Sequence, residues 1–187
     1  MRVIAGSARG RRLKSPPVRT RSASAAAVRP SSDLMRGAIF SALASLDVDM
    51  SRVLDIYAGS GALGIEALSR GAGSCDFVER DAASCAVIRE NLRLTGFEDS
   101  GHIHCLAAER ALGRLPGPYT LVLTDPPYAD SNAVSVLERL SSSALVQPGA
   151  TLLVFEHSAR AEPSAQLGPL ALVNSRRHGD SAVSIYR

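Results

Sequence analysis

Tryptophan is absent from this 187-residue sequence, aromatic residues make up only 4% of it, and it has three cysteines, Cys75, Cys85 and Cys105. An odd number of cysteines without a Cys-x-x-Cys pair fits neither a disulfide framework nor a zinc site. The four histidines lack metal-ligand spacing, so we expect no bound metal. No apolar run reaches the ~20 residues of a membrane span, and no apolar segment follows the basic N-terminus as in a secretory signal. These absences predict a cytoplasmic protein with reduced thiols and no membrane partner.

The composition is otherwise that of an ordinary folded domain. Hydrophobic residues make up 45% of the chain and charged residues 21%, close to the average for globular proteins. A chain of this length forms about one domain and buries about 70% of the surface that its unfolded form exposes. Wholesale disorder, a collagen helix and a coiled coil are therefore excluded.

Positive charge is concentrated near the N-terminus. Residues 1–36 contain nine Lys and Arg residues against one acid, Asp33, a net charge of +8, whereas residues 37–187 carry a net charge of −5. Eight of the nine bases are Arg, which binds phosphate groups bidentately and stacks on nucleobases. A basic arm on an acidic body favours a polyanionic partner, and the alternative is a solvated, partly disordered tail.

Local patterns favour an ordered arm. Apolar residues interspersed with two glycines predict a small hairpin within residues 1–13. The basic stretch leads directly into a predicted amphipathic helix over 33–46, whose first residue is an acid suited to cap it. The Ser- and Ala-rich run 22–27 predicts a mobile loop. We expect two units: a basic N-terminal hairpin or arm, residues 1–30, and a main domain, residues 31–187.

Strand and helix patterns alternate along the main domain. Short apolar runs predict strands over 52–57, 75–79, 102–106, 119–124 and 151–155. Helical spacing predicts helices over 62–69, 82–94, 109–115 and 133–140. Such alternation predicts a doubly wound parallel sheet, and two last strands, 170–175 and 182–186, predict an antiparallel hairpin. The predicted fold class is α/β with a mostly parallel seven-stranded sheet, by analogy the Rossmann-like class I fold of S-adenosylmethionine-dependent methyltransferases.

A glycine-rich loop follows the first of these strands. Gly59-Ser60-Gly61-Ala62-Leu63-Gly64 matches the G-x-G-x-x-G pattern of dinucleotide sites, which is a weak signal alone. The carboxylate of Asp55, four residues earlier, would repel a pyrophosphate but attract the ammonium and sulfonium groups of S-adenosylmethionine. The combination favours a cationic nucleoside, and the alternative is that Asp55 only caps a helix or forms a salt bridge.

Two acids and an alanine loop follow the next strands. Glu79 ends the second strand, where an acid can accept both hydroxyls of a ribose. Asp81 is predicted to cap the helix that follows. The loop after the third strand has neither acid nor amide at Ala107, so an adenine contact there would be apolar or made by the backbone.

The peptide Asp125-Pro126-Pro127-Tyr128 follows the fourth strand, at the edge where open α/β sheets bind ligands. The Asp125 carboxylate and the Pro126 carbonyl can each accept one N–H of a nucleobase amine, which turns its lone pair towards a sulfonium methyl. Tyr128 offers a face on which a flipped base stacks. The alternative is a proline turn with a packed tyrosine.

Longer stretches carry a family resemblance. The segment 55–71, DIYAGSGALGIEALSRG, and the peptide 125–128 resemble those of the bacterial RsmD-type 16S ribosomal RNA guanine-N2 methyltransferases. The N-terminal segment 1–13, the RPSSD peptide at 29–33 and the C-terminal hairpin 178–186 resemble the same family. The resemblance therefore covers essentially the whole chain.

The resemblance implies methyl transfer from S-adenosylmethionine to the N2 amine of one guanine in 16S rRNA, with the small ribosomal subunit or its assembly intermediate as partner. It implies neither a metal nor a stable protein partner. The implied donor-binding residues are Asp55, Ala58, Gly59, Gly61, Glu79, Arg80, Ala107 and Ala108, with Arg29 and Ser32 closing the lip of the site. The implied catalytic, guanine-binding residues are Asp125, Pro126 and Tyr128. The implied RNA-binding residues are Arg2, Arg9, Arg11, Arg12, Lys14 and Arg36.

Two residues depart from the family's pattern, and two other functions stay open. Leu34 and Gly37 stand where the family usually has a basic residue and Glu, and glycine within a helix costs about 1 kcal/mol relative to alanine. One alternative is an enzyme acting on another amine, such as adenine N6 in DNA or RNA or a protein glutamine amide, although amide enzymes usually carry Asn before Pro-Pro. The other is a non-catalytic ribosome-assembly factor, against which the complete motif set argues.

Overall fold

The structure, a computed structural model, describes residues 1–16, 30–127 and 130–187, with residues 30–32 described by their backbone alone. Its helices are α1 (Pro30–Ser45), α2 (Ala62–Ser69), α3 (Ala82–Thr95), α4 (Ala108–Ala111) and α5 (Ala133–Ser141). Its strands are β1 (Arg52–Ile56), β2 (Ser74–Glu79), β3 (Gly101–Cys105), β4 (Leu121–Thr124), β5 (Leu152–Ser158), β6 (Gln166–Leu167), β7 (Leu170–His178) and β8 (Ser181–Tyr186).

The strands form one sheet in the order β3-β2-β1-β4-β5-β8-β7-β6. The first five strands in that order run parallel, and β8 runs antiparallel to both β5 and β7. The predicted α/β class, with a mostly parallel sheet and a C-terminal hairpin, is confirmed. The described residues form eight strands rather than seven, because β6 pairs with the start of β7. A strand of two residues is too short to show an alternating pattern in the sequence.

The strand order reverses between β1 and β4. From β1 the chain continues outward to β2 and β3, whereas β4 and β5 lie on the other side of β1. In open α/β sheets such a reversal leaves a crevice at the carboxyl ends of the two strands. Since the glycine loop follows β1 and the Asp-Pro-Pro peptide follows β4, the fold brings the two motifs to one crevice.

Apolar side chains cover both faces of the sheet. On β4, Leu121 and Leu123 point to one face and Val122 to the other, and all three are buried. The face of Leu121 and Leu123 packs against α1, α2 and α3, for example through Ile65, and is the α2 face; the other packs against α5 through Leu137. Burying each such side chain contributes about 1.5–3 kcal/mol, so the strands that carry the crevice are firmly held.

Residues 1–16 pack on the α2 face. Val3 and Leu13 are buried in the core of that face, and an antiparallel bridge joins Arg2 to Arg12. The backbone N–H groups of the two residues after Val3 donate to the two carboxylate oxygens of Glu66, at 2.8 and 3.0 Å. The described part of the arm is therefore folded onto the sheet domain and is not a solvated tail.

Some element ends differ from the predicted ones. Helix α1 begins three residues before the predicted start, so Asp33 lies in its first turn and accepts a hydrogen bond from Arg36 at 2.7 Å instead of capping it. Asp81 caps α3 as predicted, since its carboxylate accepts the N–H of Ser84 at 2.9 Å. Helix α4 ends at Ala111, because the chain continues in turns from there.

Three remaining expectations concern single segments and residues. The run 22–27 lies outside the described residues. Across the described ranges, no helix is both long and apolar enough to span a membrane. The thiols of Cys75, Cys85 and Cys105 are free, the first two buried and the third exposed.

Candidate active site

A cavity of about 550 Å³ opens at the carboxyl ends of β1, β2, β4 and β5. Its volume lies in the range of roughly 300–1,000 Å³ typical of small-molecule sites. Of the predicted donor and guanine residues, nine line it: Asp55, Ala58, Gly59, Glu79, Arg80, Ala107, Ala108, Asp125 and Pro126. Arg29, Tyr128 and the Ser32 side chain lie outside the described residues. The fold thus gathers residues that are up to 71 positions apart in the sequence.

The glycine loop turns sharply between β1 and α2. Tyr57, Gly59 and Gly61 all have a positive φ, of 66°, 56° and 77°. Only glycine adopts this conformation without strain, so the loop needs glycine at two of these positions. Gly61 lies beneath the loop, where a Cβ would come within 3.3 Å of the Phe77 ring, and a Cβ on Gly64 would come within 2.3 Å of it. Gly61 and Gly64 therefore serve the turn and the close packing of α2 on β2.

Asp55 lies in β1 at the base of the cavity. Its side chain is 1% exposed, and one carboxylate oxygen accepts the backbone N–H of Gly64 at 2.8 Å. Burial raises the pKa of Asp55 to about 8; the Gly64 N–H opposes the rise, and the charges of Asp125 and Glu79 add to it. Asp55 therefore fixes the loop and also lines the cavity, and a cation beside it would lower its pKa again.

Glu79 connects the glycine loop to the turn after β2. One carboxylate oxygen accepts the N–H of Gly59 at 2.9 Å, and the other accepts the N–H of Asp81 at 2.8 Å. A carboxylate oxygen has two lone pairs, so each can accept a further hydrogen bond from a ligand hydroxyl. The backbone contacts hold the carboxylate at the edge of the cavity, as the ribose role requires.

Asp125 and Pro126 follow β4 directly. Asp125 is exposed within the cavity, where the surrounding walls displace part of its water. This desolvation, together with the charge of Glu156, raises the pKa of Asp125 to about 7. The N–H of Asp130 donates to the Pro127 carbonyl at 2.8 Å.

Among the cavity residues that were not predicted from the sequence, two carry ionisable groups that bear on ligand binding. Glu156 lies in β5 beside Asp125 and completes a row of carboxylates on three adjacent strands. Tyr57 also lines the cavity, and its buried hydroxyl has no hydrogen-bond partner within the described part of the chain. Burial raises the pKa of Tyr57 to about 12, so the hydroxyl keeps its proton and can donate it to a ligand. The sequence signal that could have identified Glu156 is an acid at the end of the predicted fifth strand. Tyr57 offered no such signal, because it stands in the loop among residues typical of a turn.

The whole sequence, residues 1–187, matches the family model described as conserved hypothetical protein 95. The chain belongs to this family. “Putative rRNA methyltransferase YlbH” of Bacillus subtilis is 31% identical over 190 residues, which cover 100% of this chain and 98% of that protein. “Ribosomal RNA small subunit methyltransferase D” of Escherichia coli is 34% identical over 128 residues, which cover 68% of this chain and 60% of that protein. The predicted RsmD-type membership is confirmed.

Solved structures of the family share the fold. “Putative methyltransferase yhhF from Escherichia coli” superposes with a TM-score of 0.81 at 28% identity, covering 100% of this chain and 96% of that chain. A Thermus hypothetical protein, TTHA0928, superposes with a TM-score of 0.80 at 31% identity, covering 99% of this chain and 98% of that chain. The fold is that of the class I methyltransferases.

The predicted RNA-binding residues separate into two groups. Arg2, Arg9, Arg11, Arg12 and Lys14 are exposed on the arm. Among these, Lys14 forms an ion pair with Glu90 at 2.6 Å, and Arg11 donates to a backbone carbonyl of α3 at 3.3 Å. Because Met1 lines the cavity, the start of this basic arm lies beside the mouth of the site.

Arg36 was expected to contact RNA, but its side chain is buried. It is 3% exposed, and its guanidinium donates to the Arg2 carbonyl at 2.6 Å and to Asp33 at 2.7 Å. It also lies 3.5 Å from the fully buried Glu66 carboxylate, which pairs with Arg70 at 2.8 Å as well. In this family member Arg36 therefore joins α1, α2 and the arm, and it lines the cavity instead of the exposed surface.

The ionisable side chains that line the cavity are mostly acidic, and they are not arranged as metal ligands. Within the ranges that the structure describes, no group of three or more His, Cys, Asp or Glu residues is arranged to hold a metal ion. The carboxylates instead accept backbone N–H groups or face the cavity. Such a lining suits an organic ligand that carries positive charge and hydrogen-bond donors.

Proposed function

We propose that this protein transfers a methyl group from S-adenosylmethionine to the exocyclic N2 amine of a guanine in 16S ribosomal RNA of the small subunit. The observation that carries the proposal is the convergence of Asp55, Glu79 and Asp125 on one cavity beside Pro126. The names of the Bacillus and Escherichia relatives support ribosomal RNA as the acceptor. Because the fold serves many acceptors, the choice among them depends on the chemistry of this site.

The cavity fits the donor in charge and in hydrogen bonding. The ionised form of the buried Asp55, whose pKa is raised, would be stabilised by a cation beside it. The Tyr57 hydroxyl offers an unused hydrogen-bond donor in the same cavity, and Glu79 offers acceptors for ribose hydroxyls. Ala107 and Ala108 give an apolar wall for an adenine ring. When bound, S-adenosylmethionine supplies the methyl group on its cationic sulfur.

Asp125 and Pro126 position the acceptor amine. An exocyclic amine is a weak nucleophile because its lone pair is delocalised into the ring of the base. The Asp125 carboxylate and the Pro126 carbonyl each accept one N–H, which holds both protons in place and turns the lone pair out of conjugation. The two prolines bring no competing backbone N–H donor to this peptide. Tyr128 is proposed to stack on the flipped base.

The same carboxylate can take the proton that the amine releases. The amine becomes acidic once it is methylated, so no strong base is needed before transfer. Desolvation by the cavity walls raises the pKa of Asp125 to about 7, close to the operating pH at which a general base is most effective. Water at the cavity mouth is the alternative acceptor.

The arm is proposed to hold RNA phosphates beside the cavity. Arg9 and Arg12 are exposed, and the arm begins at Met1 on the cavity wall. Arginine neutralises phosphate charge and releases counterions, which gives affinity without sequence readout. The choice of nucleotide then depends on the shape of the RNA and on contacts to the flipped base.

The direct test is incubation of the protein with labelled S-adenosylmethionine and undermodified small ribosomal subunits, followed by nucleoside analysis of the rRNA. We expect the label on guanine N2, and no label with Asp125→Ala. Label on adenine N6 would replace the proposal with the adenine alternative. No label on RNA despite tight donor binding would favour a non-catalytic assembly factor.

A further inference from the structure

Glu156 lies next to Asp125 across two paired strands. In the parallel ladder between β4 and β5, Thr124 pairs with Phe155, and Asp125 and Glu156 are the next residue on each strand. Side chains alternate along a strand, so both acids point to the α2 face, like Leu123 and Val154 two positions earlier. The two carboxylates therefore line the same side of the cavity.

A third strand supports this orientation of Glu156. In the antiparallel ladder between β5 and β8, Glu156 pairs with Val183, which belongs to the core of the α2 face. Ser181, two residues before Val183, lines the cavity as well. Glu156 thus stands at the wall of the cavity opposite to Asp55, with Asp125 on the strand between them.

Two neighbouring carboxylates determine which edge of a nucleobase can bind to them. Each carboxylate accepts hydrogen bonds and donates none when ionised. The charge of Glu156 reaches Asp125 strongly enough to raise the pKa of Asp125, so the two groups share one electrostatic environment. A base that binds both in their ionised form must present N–H donors at neighbouring positions of one edge, because a lone pair facing an ionised carboxylate is repelled.

Guanine and adenine differ in the groups that they would present to these two carboxylates. The Watson–Crick edge of guanine presents an N–H at N1 next to the N2 amine, whereas adenine presents a lone pair at N1 next to its N6 amine. We propose that Glu156 accepts the N1–H of the target guanine while Asp125 accepts an N–H of the N2 amine, so that Glu156 selects guanine over adenine. This inference rests on the proposed guanine-N2 activity and names the residue that determines its specificity.

The test uses a base that keeps the reacting amine and lacks the N1 proton. 2-Aminopurine has the C2 amine of guanine but a lone pair at N1. The probe is the small-subunit RNA with the target guanine replaced by 2-aminopurine, and kcat/KM for methyl transfer is measured on both RNAs. Since 2-aminopurine also lacks O6, the guanine-to-2-aminopurine ratio is compared between variants and not taken alone.

Glu156→Gln replaces one acceptor oxygen by an amide N–H₂ that can donate to the N1 lone pair of 2-aminopurine. We expect kcat/KM on guanine RNA to fall about 10- to 100-fold, as for loss of a hydrogen bond to a charged group. The guanine-to-2-aminopurine ratio should fall at least about tenfold, while the dissociation constant of the donor stays within about twofold. Glu162→Gln, the same change at an exposed position, should alter neither value.

The outcomes separate this inference from the function on which it rests. If the wild type methylates guanine N2 and Glu156→Gln leaves the ratio unchanged, the assignment of Glu156 is overturned and the function stands. If the wild type does not methylate guanine, the function fails and the assignment fails with it. Unchanged donor binding by Glu156→Gln shows that the variant is folded. If it misfolds, Glu156→Ala replaces it, and the guanine-to-2-aminopurine ratio should fall for this variant too, whereas an unchanged ratio overturns the assignment.

Discussion

Replacing Asp55 with Asn separates the stability of the fold from binding of the donor. Burial raises the pKa of Asp55 from 3.8 to about 8, so between these values the folded chain holds a proton that the unfolded chain has lost. Stability therefore falls as the pH rises through this window. Each pKa unit corresponds to about 1.4 kcal/mol, so the cost of ionising Asp55 reaches an upper bound of about 6 kcal/mol at alkaline pH.

Asparagine removes the charge and keeps the acceptor that Gly64 uses at 2.8 Å. We expect Asp55→Asn to raise the free energy of unfolding by about 1–3 kcal/mol at about pH 8, and by less at about pH 5.5. Urea titrations at the two pH values measure the difference. Asp99→Asn, at an exposed position, is the control and should change stability by less than about 0.5 kcal/mol. A loss of stability, or a gain that is the same at both pH values, would refute the reasoning.

The same variant, Asp55→Asn, should also bind S-adenosylmethionine less tightly than the wild type. Removing a buried charge from beside a cationic ligand weakens binding by about 30-fold or more, which calorimetry with S-adenosylmethionine detects. A variant that is more stable and binds the donor as tightly as the wild type would show that Asp55 only holds the glycine loop.

Asp125, the pH dependence of donor binding and the basic arm give three further tests. Asp125→Ala should abolish methyl transfer and leave donor binding within about threefold, because the residue contacts the acceptor amine; parallel loss of binding and activity would indicate a folding role. Donor affinity should rise between about pH 6 and pH 8, since Asp55 with a pKa of about 8 must release its proton to face a cation. The rise should be smaller for S-adenosylhomocysteine, whose sulfur is uncharged, and equal slopes in calorimetry would contradict this. Replacing Arg9, Arg11 and Arg12 with Ala should lower the slope of log affinity for RNA against log salt by about 0.7–0.9 per lost phosphate contact; an unchanged slope means that the arm does not touch phosphate.

The acids of the site were predictable because each one ends an apolar strand. Asp55 and Glu79 interrupt runs of buried residues at the edge where a parallel sheet binds ligands, and a charge there is costly without a function or a partner. Glu156 has the same signal, since it directly follows the predicted strand 151–155, although in the structure β5 continues past it to Ser158. Its neighbour Asp125 is 31 positions away in the sequence, and only the strand register places the two side by side.

Arg36 shows why a count of charges overstates the surface available to RNA. Its guanidinium reaches Asp33 within its own helix, the carbonyl of Arg2 and the buried Glu66, which lies 30 positions along the chain. The first of these contacts has a local spacing that a helix pattern reveals, but the other two depend on how the arm packs on α2. Because burying an arginine is favourable only with paired charges, the ion pairs with Glu66 and Asp33 explain why Arg36 lies between these segments, where it also lines the cavity. The positive charge that can reach phosphate therefore belongs to the exposed arginines of the arm, and the salt-dependence test is confined to them for this reason.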